Sequence, residues 1–308
     1  MTKVAFLFPG QGSQYVGMGQ EIAENHKEAM EYFKRADEIL GYSLSEIIFS
    51  GTEDELRNTE ITQPAILTVS MAILAVLQKA GFQPEAAAGL SLGEYSGLVC
   101  AGALQFEDAL PLVKKRAHYM QHAVPLGQGG MAAVLGLKAE DVALLCQQAL
   151  GVGHVEPANY NCPGQVVVAG KKEAVEEVCR LAKEKKARAV MLSVSAPFHS
   201  KLLSPIEEKM DVLLQQTEII QTRIPVVANV SADYLKNPED IRQSLVRQVS
   251  HPVLWENSMK RLLDDGYDFF IEVGPGRVLT GFMRKISSDV DSIHVENIET
   301  LERLFKLL

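Results

Sequence analysis

The sequence predicts an α/β protein whose main sheet is mostly parallel. Three observations lead to this prediction. Short apolar runs with the length of buried strands alternate with longer segments of helical apolar spacing. Glycine or proline follows several of the strand-like runs. Strand-like runs also lie on both sides of a central segment in which the predicted strands and helices follow a different order, which indicates an insert in a larger domain.

The elements outside the insert follow from local patterns. "KVAFLFPG" predicts a buried strand, and "GMGQEIAENHKEAMEYFKRADEIL" has the spacing of a helix. "TQPAILTVSMAILAVLQKAG" is apolar on nearly all sides, which predicts a buried helix ended by Gly81. "PEAAA" predicts a strand and "FEDALPLVKKRAHYMQHAV" a helix. Near the C-terminus, "SPIEEKMDVLLQQTEI" predicts a helix, "IPVVANVS" and "FFIEVGPG" predict strands, and "ETLERLFKLL" predicts a closing helix.

The order of the predicted strands and helices changes between about Pro125 and Pro197. This segment reads strand, helix, two strands, helix and strand, which is the ferredoxin-like pattern. Such a unit can be inserted between two elements of a larger domain. We therefore predict a large α/β catalytic domain at 1–124 and 198–308, and a ferredoxin-like subdomain inserted at 125–197.

Length and composition exclude several classes of protein. The 308 residues, 47% hydrophobic and 22% charged, are typical of a soluble globular protein with a sizeable core. The net charge of −9 argues against a nucleic-acid-binding protein. The apolar run before Pro9 is too short for a signal-peptide core or a membrane span. We expect a cytoplasmic enzyme or binding protein.

The four cysteines form no C-x-x-C pair. We expect buried thiols in a reducing compartment, without a metal or a disulfide. They are Cys100, Cys146, Cys162 and Cys179.

The segment "GLSLGEYSG", residues 89–97, has Gly-x-Ser-x-Gly spacing around Ser91. Small neighbours at this spacing permit a sharp strand-to-helix turn that exposes the serine hydroxyl. A turn of this kind serves a nucleophile, but the pentapeptide alone does not identify an enzyme.

A nucleophilic serine needs a base, and the sequence has seven histidines. His26, His118 and His122 fall on predicted helix surfaces, where a solvated histidine is the simpler interpretation. His199 lies in "SAPFHS", where the chain returns from the predicted insert, and loops at such junctions often carry function. His199 is therefore the candidate base, with a structural loop histidine as the alternative.

Arg116 and the first loop, "PGQGSQ", are further candidates. The glycines of the loop miss the dinucleotide-binding spacing and no P-loop lysine follows, so we do not expect a nucleotide site. The backbone N–H groups of such a loop can instead stabilise an oxyanion. Arg116 belongs either to a solvated basic helix face or to a site where its planar fork holds a carboxylate, and the spacing does not decide between these.

Eight motifs occur together and in order: "FPGQGSQ", "TQPAIL", "GLSLGEYSG", "RAHYMQ", "NYNCPGQVVVAG", "APFHS", "VSHPVLW" and "EVGPGRVLTG". This set, from about Val4 to about Gly281, closely resembles the malonyl-CoA:acyl-carrier-protein transacylases of dissociated fatty acid synthesis. The resemblance implies an α/β-hydrolase-like large domain with a ferredoxin-like insert, in agreement with the pattern of elements.

The resemblance also implies catalytic roles. Ser91 would attack the malonyl thioester and hold malonate as an ester. His199 would take the serine proton and return it to the departing coenzyme A thiol. The same imidazole would then deprotonate the pantetheine thiol of acyl carrier protein, which completes a ping-pong reaction. The N–H groups of Leu92 and Gln11 would form the oxyanion hole.

Further positions would shape the site by the same resemblance. Arg116 would bind the free carboxylate of malonate, and the backbone carbonyl of Gln248 would orient the histidine in place of an acidic residue. Phe198 would fill the space that the methyl group of methylmalonate needs. Three residues would line the pocket: Gln63, Asn159 and Asn161.

Leu90 departs from the family pattern, because many members have histidine before the nucleophile. Leucine at this position is expected to alter the polarity or hydration of the pocket and the kinetics, but not the class of reaction.

The expected partners are malonyl-CoA and acyl carrier protein, with no nucleic acid and no membrane, and we expect a monomer. No cofactor or metal is expected, since the coenzyme A thioester is a substrate. The alternatives are a stand-alone acyltransferase that serves a polyketide synthase, a serine acyl hydrolase, and a catalytically silent binding module for acyl carriers.

Overall fold

Two separate sheets organise the chain in the computed structural model, which describes residues 2–194 and 196–307. Ser195, in the predicted return from the insert, and the chain ends Met1 and Leu308 lie outside the described residues. The strands of the described part are β1 Val4–Phe8, β2 Ala86–Gly89, β3 Gly129–Leu135, β4 Val155–Cys162, β5 Gln165–Lys171, β6 Arg188–Met191, β7 Val226–Val227, β8 Phe269–Val273 and β9 Asp291–Val295.

The larger sheet has the strand order β7-β2-β1-β8-β9 and is parallel throughout. Its central strand β1 is buried on both faces, as expected where helices cover a parallel sheet. The carboxyl ends of β1 and β2 lie side by side, with Phe8 paired to Gly89. The loops that follow these two strands therefore meet at one edge of the sheet, where ligands bind in open α/β folds.

The smaller sheet has the order β4-β5-β3-β6 and is antiparallel. Counted within this unit, the order is second, third, first and fourth strand, which is the ferredoxin-like arrangement predicted from the sequence. A main-chain link joins β4 to the rest of the protein, because the Tyr160 N–H donates to the Val253 oxygen at 2.9 Å. The predicted α/β fold with a parallel sheet and a separate small antiparallel sheet is confirmed. The boundaries at 124/125 and 197/198 stay predictions.

Helices cover both sheets. The α-helices of the described part are α1 Gln20–Asn25, α2 Lys27–Leu40, α3 Leu44–Ser50, α4 Glu53–Arg57, α5 Thr59–Lys79, α6 Gly93–Cys100, α7 Phe106–Gln121, α8 Ala139–Ala149, α9 Lys172–Glu184, α10 Glu207–Gln215, α11 Pro238–Gln248, α12 Trp255–Asp264, α13 Val278–Ile286 and α14 Ile298–Leu307. A 3-10 helix at Lys201–Ile206 precedes α10.

Helix α5 is the buried helix that the sequence predicts. Among the described residues it is the one helix long and apolar enough to cross a bilayer, but 83% of its most apolar window is buried inside the protein. Burial of this kind is typical of the core helix of a globular domain, so α5 is weak evidence for a membrane span.

Three differences from the sequence prediction concern one helix and two strands of the large sheet. The predicted helix from Gly17 to Leu40 is broken at His26, whose extended backbone (φ −131°, ψ 109°) separates α1 from α2. The strand expected in "IPVVANVS" contains only the two residues of β7, and β9, which the sequence did not predict, forms the opposite edge of the large sheet. Edge strands are short or half-buried, so their apolar patterns are weak.

Candidate active site

Ser91 stands in a strained turn between β2 and α6. Its φ of +53° lies in the left-handed region, which non-glycine residues rarely adopt. The turn also requires its flanking glycines. A Cβ at Gly89 would lie 1.8 Å from the Gly93 oxygen, and one at Gly93 would lie 2.1 Å from the Phe8 oxygen. The strand-to-helix turn predicted from the Gly-x-Ser-x-Gly spacing is thus present.

Ser91 and His199 form a hydrogen-bonded pair. Ser91 Oγ lies 2.6 Å from His199 Nε2, and His199 Nδ1 lies 2.7 Å from the backbone oxygen of Gln248. Because a carbonyl only accepts, Nδ1 carries the proton and Nε2 is free to accept from the serine hydroxyl. Burial, and then the nearby charge of Arg116, lowers the pKa of His199 to about 3, so the imidazole is neutral and able to take a proton.

Arg116 is a fully buried guanidinium with neutral partners. Its Nη1 donates to Gln63 Oε1 at 2.7 Å, and its Nη2 donates to Ser91 Oγ at 3.1 Å and to Gln248 Oε1 at 2.8 Å. No carboxylate lies within ion-pair distance of Arg116 among residues 2–194 and 196–307. The charge of Glu94 acts on Arg116 without direct contact, so the buried guanidinium is suited to bind an anionic group directly.

The side chain of Gln248 links the pair to a buried carboxyl group. Its Nε2 donates to Glu94 Oε2 at 2.7 Å and to the backbone oxygen of Ser91 at 2.9 Å. Burial raises the pKa of Glu94 to about 7, although the hydrogen bonds from Gln248 and from the Asn229 N–H favour the charged form. The sequence had assigned only the backbone carbonyl of Gln248 to the site.

Asn229 holds the turn from the neighbouring strand. Its Oδ1 accepts from the Ser91 N–H at 2.6 Å, and its Nδ2 donates to the Gly89 oxygen at 2.7 Å. Neither Asn229 nor Glu94 was predicted from the sequence as a site residue. A usable signal existed for Asn229, since it is a polar residue two positions after the buried strand β7, at the carboxyl edge of a parallel sheet.

The two predicted oxyanion donors remain available. The Ser91 N–H is engaged by Asn229, whereas no described residue accepts from the N–H of Leu92 or of Gln11. Leu92 immediately precedes α6, where helix N–H groups favour negative charge. The Gln11 side chain donates to Thr59 Oγ1 at 3.1 Å and so ties the first loop to the start of α5.

A cleft with about 970 Å³ of empty space opens over Ser91 and His199. Gln63, Leu90 and Phe198 line it from the larger unit, and Asn159 and Asn161 line it from β4. Arg116 and Leu92 are buried behind this surface. The structure thus brings every predicted site residue to one place, while the role of each stays a prediction.

Comparisons with known proteins agree with this arrangement. Residues 5–302 match the family model described as acyl transferase domain. The chain belongs to the acyl transferase domain family. Among curated relatives, the malonyl CoA-acyl carrier protein transacylase of Bacillus subtilis is 45% identical over all of this chain and 98% of the relative.

Solved structures extend the similarity of this acyl transferase to the whole fold. The malonyl CoA-acyl carrier protein transacylase of Clostridium perfringens is 44% identical, with a TM-score of 0.95 over 99% of this chain and 97% of that one. A malonyl-transacylase in complex with its type II PKS acyl-carrier protein is 40% identical, with a TM-score of 0.97 over the full length of both chains. The protein is therefore an acyltransferase enzyme rather than a silent binding module.

Proposed function

We propose that the protein transfers the malonyl group from malonyl-CoA to the pantetheine thiol of acyl carrier protein, for fatty acid biosynthesis, through a malonyl ester on Ser91. One observation carries the choice of acyl group. The buried Arg116 guanidinium touches the nucleophile's Oγ and has only neutral partners in the described part of the chain. The free carboxylate of malonate is the anion that such a guanidinium binds with parallel hydrogen bonds.

In the first half-reaction, Ser91 Oγ attacks the thioester carbon of malonyl-CoA while its proton passes to His199 Nε2. The 2.6 Å separation of these atoms suits that transfer. The N–H groups of Leu92 and Gln11 stabilise the oxyanion, and a lost donor of this kind typically costs about 3 kcal/mol in the barrier. The C–S bond then breaks and the imidazolium returns the proton to the coenzyme A thiolate.

In the second half-reaction the same groups act on the other thiol. His199 takes the proton of the carrier pantetheine thiol, and the sulfur attacks the malonyl ester. The C–O bond to Ser91 breaks, and the proton returns to its Oγ. The Gln248 carbonyl at 2.7 Å keeps the imidazole in the required tautomer in both halves.

Phe198 supports selection of malonyl over methylmalonyl groups. It directly precedes His199, is 6% exposed and lines the cleft. A ring at this position occupies the space that an α-methyl group on the acyl chain needs.

The activities named for the relatives support the same reaction. They describe malonyl CoA-acyl carrier protein transacylases from several bacteria, and one complex contains an acyl-carrier protein. We further propose that the protein is a cytoplasmic monomer and that its reaction needs no cofactor, because the thioesters are substrates. The proposed bounds of the inserted subdomain are 125–197.

One observation favours a second candidate, a malonyltransferase that serves a polyketide synthase. The complex with a TM-score of 0.97 contains a type II PKS acyl-carrier protein. Only the carrier differs between the two candidates, so a panel of purified carriers distinguishes them.

The test of the proposed function is covalent loading followed by transfer. Mixed with malonyl-CoA, the wild-type protein should gain one malonyl group at Ser91 by mass spectrometry and lose it on addition of holo acyl carrier protein. Ser91→Ala is the matched control and should gain nothing. A wild-type protein that releases malonate to water at the rate at which it consumes malonyl-CoA would instead be a hydrolase.

A further inference from the structure

Two histidines and a glutamate form a cluster at one end of the α5–α7 pair, outside the cleft. His118 and His122 are four residues apart, so they share one face of α7 and its C-terminal end. Glu60 is the second residue of α5. One ligand atom from each of the three lies within 4.8 Å of the other two.

The distances in this cluster fit a small divalent ion. Glu60 Oε1 lies 3.2 Å from His118 Nδ1 and 3.0 Å from His122 Nε2. Two ligand atoms that each lie about 2.0 to 2.1 Å from a tetrahedral Zn²⁺ ion are roughly 3.4 Å apart. Two of the three distances between the ligand atoms of this cluster are therefore close to the required value. The two rings, with centroids 4.6 Å apart, are already side by side.

The chemistry of the donors points to the class of metal. Imidazole suits zinc, copper and nickel, whereas magnesium and calcium prefer sites made of oxygen alone. Two imidazoles with one carboxylate form a donor set that Zn²⁺ uses together with a water molecule. The histidine side chains are 54% and 61% exposed, and His122 and Glu60 line a shallow surface cavity, so an ion can reach all three groups.

We propose that Glu60, His118 and His122 form a binding site for a zinc-type divalent transition metal ion at the protein surface. The site fastens the first turn of α5 to the last turn of α7. Gln63 lies one turn after Glu60, and Arg116 lies two residues before His118. The bound ion therefore joins the same two helices whose side chains meet in the Arg116–Gln63 hydrogen bond of 2.7 Å.

The test uses Zn²⁺ and Co²⁺ as probes with the full chain, freed of any purification tag. Competition with a chromophoric chelator at pH 7.5 should show one Zn²⁺ ion per chain. Co²⁺ should give the visible absorption of a tetrahedral complex, and Mg²⁺ in excess should displace neither ion. Zn²⁺ should also raise the melting temperature, because it binds only the folded arrangement of the two helices.

Single substitutions separate the site from incidental binding. His118→Ala, His122→Ala and Glu60→Gln should each weaken Zn²⁺ affinity by more than about tenfold, the lower limit for loss of even an outer partner of a metal site. His154→Ala is the matched control, since His154 lies 2.8 Å from Glu156 without a second histidine, and it should bind Zn²⁺ as the wild type does. The melting temperature of each variant without metal checks that it is folded.

Two results would overturn the proposal. The first is a wild-type protein that binds Zn²⁺ no more tightly than the His118→Ala, His122→Ala double variant. The second is an equal loss of affinity in His154→Ala and His122→Ala. In either case the cluster is only a set of hydrogen bonds between a carboxylate and exposed imidazoles.

Discussion

The two sheets contribute to the site in different ways. The segments around the parallel sheet supply Ser91, Arg116, His199 and Gln248, which are joined by hydrogen bonds of 2.6 to 3.1 Å. The antiparallel sheet supplies wall residues such as Asn161, and none of its described residues forms a hydrogen bond with Ser91 or His199. One unit thus joins the proposed reacting groups by hydrogen bonds, while the other lines the cleft beside them.

This difference predicts that substitutions near the parallel sheet affect the chemical step, whereas substitutions in the small sheet affect substrate binding. After loss of the nucleophile itself, His199→Ala should give the largest effect. Loss of the general base should slow formation of the malonyl enzyme by about 10²- to 10⁴-fold. Rapid-quench measurement of malonyl-Ser91 would check this, with His251→Ala as a control from the same region. A loss below tenfold would mean that another group takes the serine proton.

Arg116→Ala should come next, and its effect should depend on the acyl group. Charge-assisted hydrogen bonds contribute about 1.5 to 3 kcal/mol, so loading of malonyl should fall about 10- to 100-fold more than loading of acetyl, which has no carboxylate. Lys115→Ala, an exposed cation on the same helix, should leave both unchanged. Equal losses for malonyl and acetyl would refute the role of Arg116 as a carboxylate clamp.

The effect of pH on the rate of acyl loading should be smaller than the effects of these two substitutions, but it reports the protonation state of His199. His199 accepts a proton only in its neutral form, and burial together with Arg116 lowers its pKa to about 3. Its protonation should therefore not reduce the rate of acetyl loading between pH 5 and 8. In Arg116→Gln the neighbouring charge is gone, so the pKa of His199 rises. As the pH is lowered, the rate of this variant should therefore begin to fall at a higher pH than the rate of the wild type.

Glu94→Gln is the control for this pH profile, because the Glu94 carboxyl has a pKa of about 7 and titrates in the same range. A fall in wild-type rate near pH 7 that disappears in Glu94→Gln belongs to Glu94. A fall near pH 6.5 that persists in Glu94→Gln would show that His199 titrates as an exposed histidine does.

Asn161→Ala should give the smallest effect, and it should change KM rather than kcat. The Asn161 Oδ1 atom is buried without a hydrogen-bond partner among the described residues, so it is available to a substrate N–H group. A neutral hydrogen bond contributes about 0.5 to 1.5 kcal/mol, so KM for malonyl-CoA should rise about 2- to 10-fold with kcat nearly unchanged. A fall in kcat larger than the rise in KM would place the small sheet in the chemical step.

Much of the fold followed from local sequence. The turn at Ser91 could be predicted because Gly89 and Gly93 lie within two residues of it, and the insert because its six elements follow one another without interruption. The break at His26 could not be predicted, because apolar residues keep their helical spacing on both sides of it.

The network around the nucleophile was harder to predict. Glu94 on α6 meets Asn229, which follows β7, and the Gln248 side chain at the end of α11 only when the chain folds, because Glu94 is 135 residues from Asn229 and 154 from Gln248. Nothing in their local sequence indicates mutual hydrogen bonds. The resemblance to a known family predicted the reacting groups, but not the buried side chains that hold them.

The unpaired charge of Arg116 links the reaction to folding. In the free enzyme the Arg116 guanidinium hydrogen-bonds only to uncharged groups, and a malonyl group on Ser91 would add a carboxylate that can bind it directly. Anything that binds the folded form more tightly than the unfolded form stabilises it. The malonylated protein should therefore melt at a higher temperature than the free or acetylated protein, so that the stability of the molecule rises and falls once in every turnover.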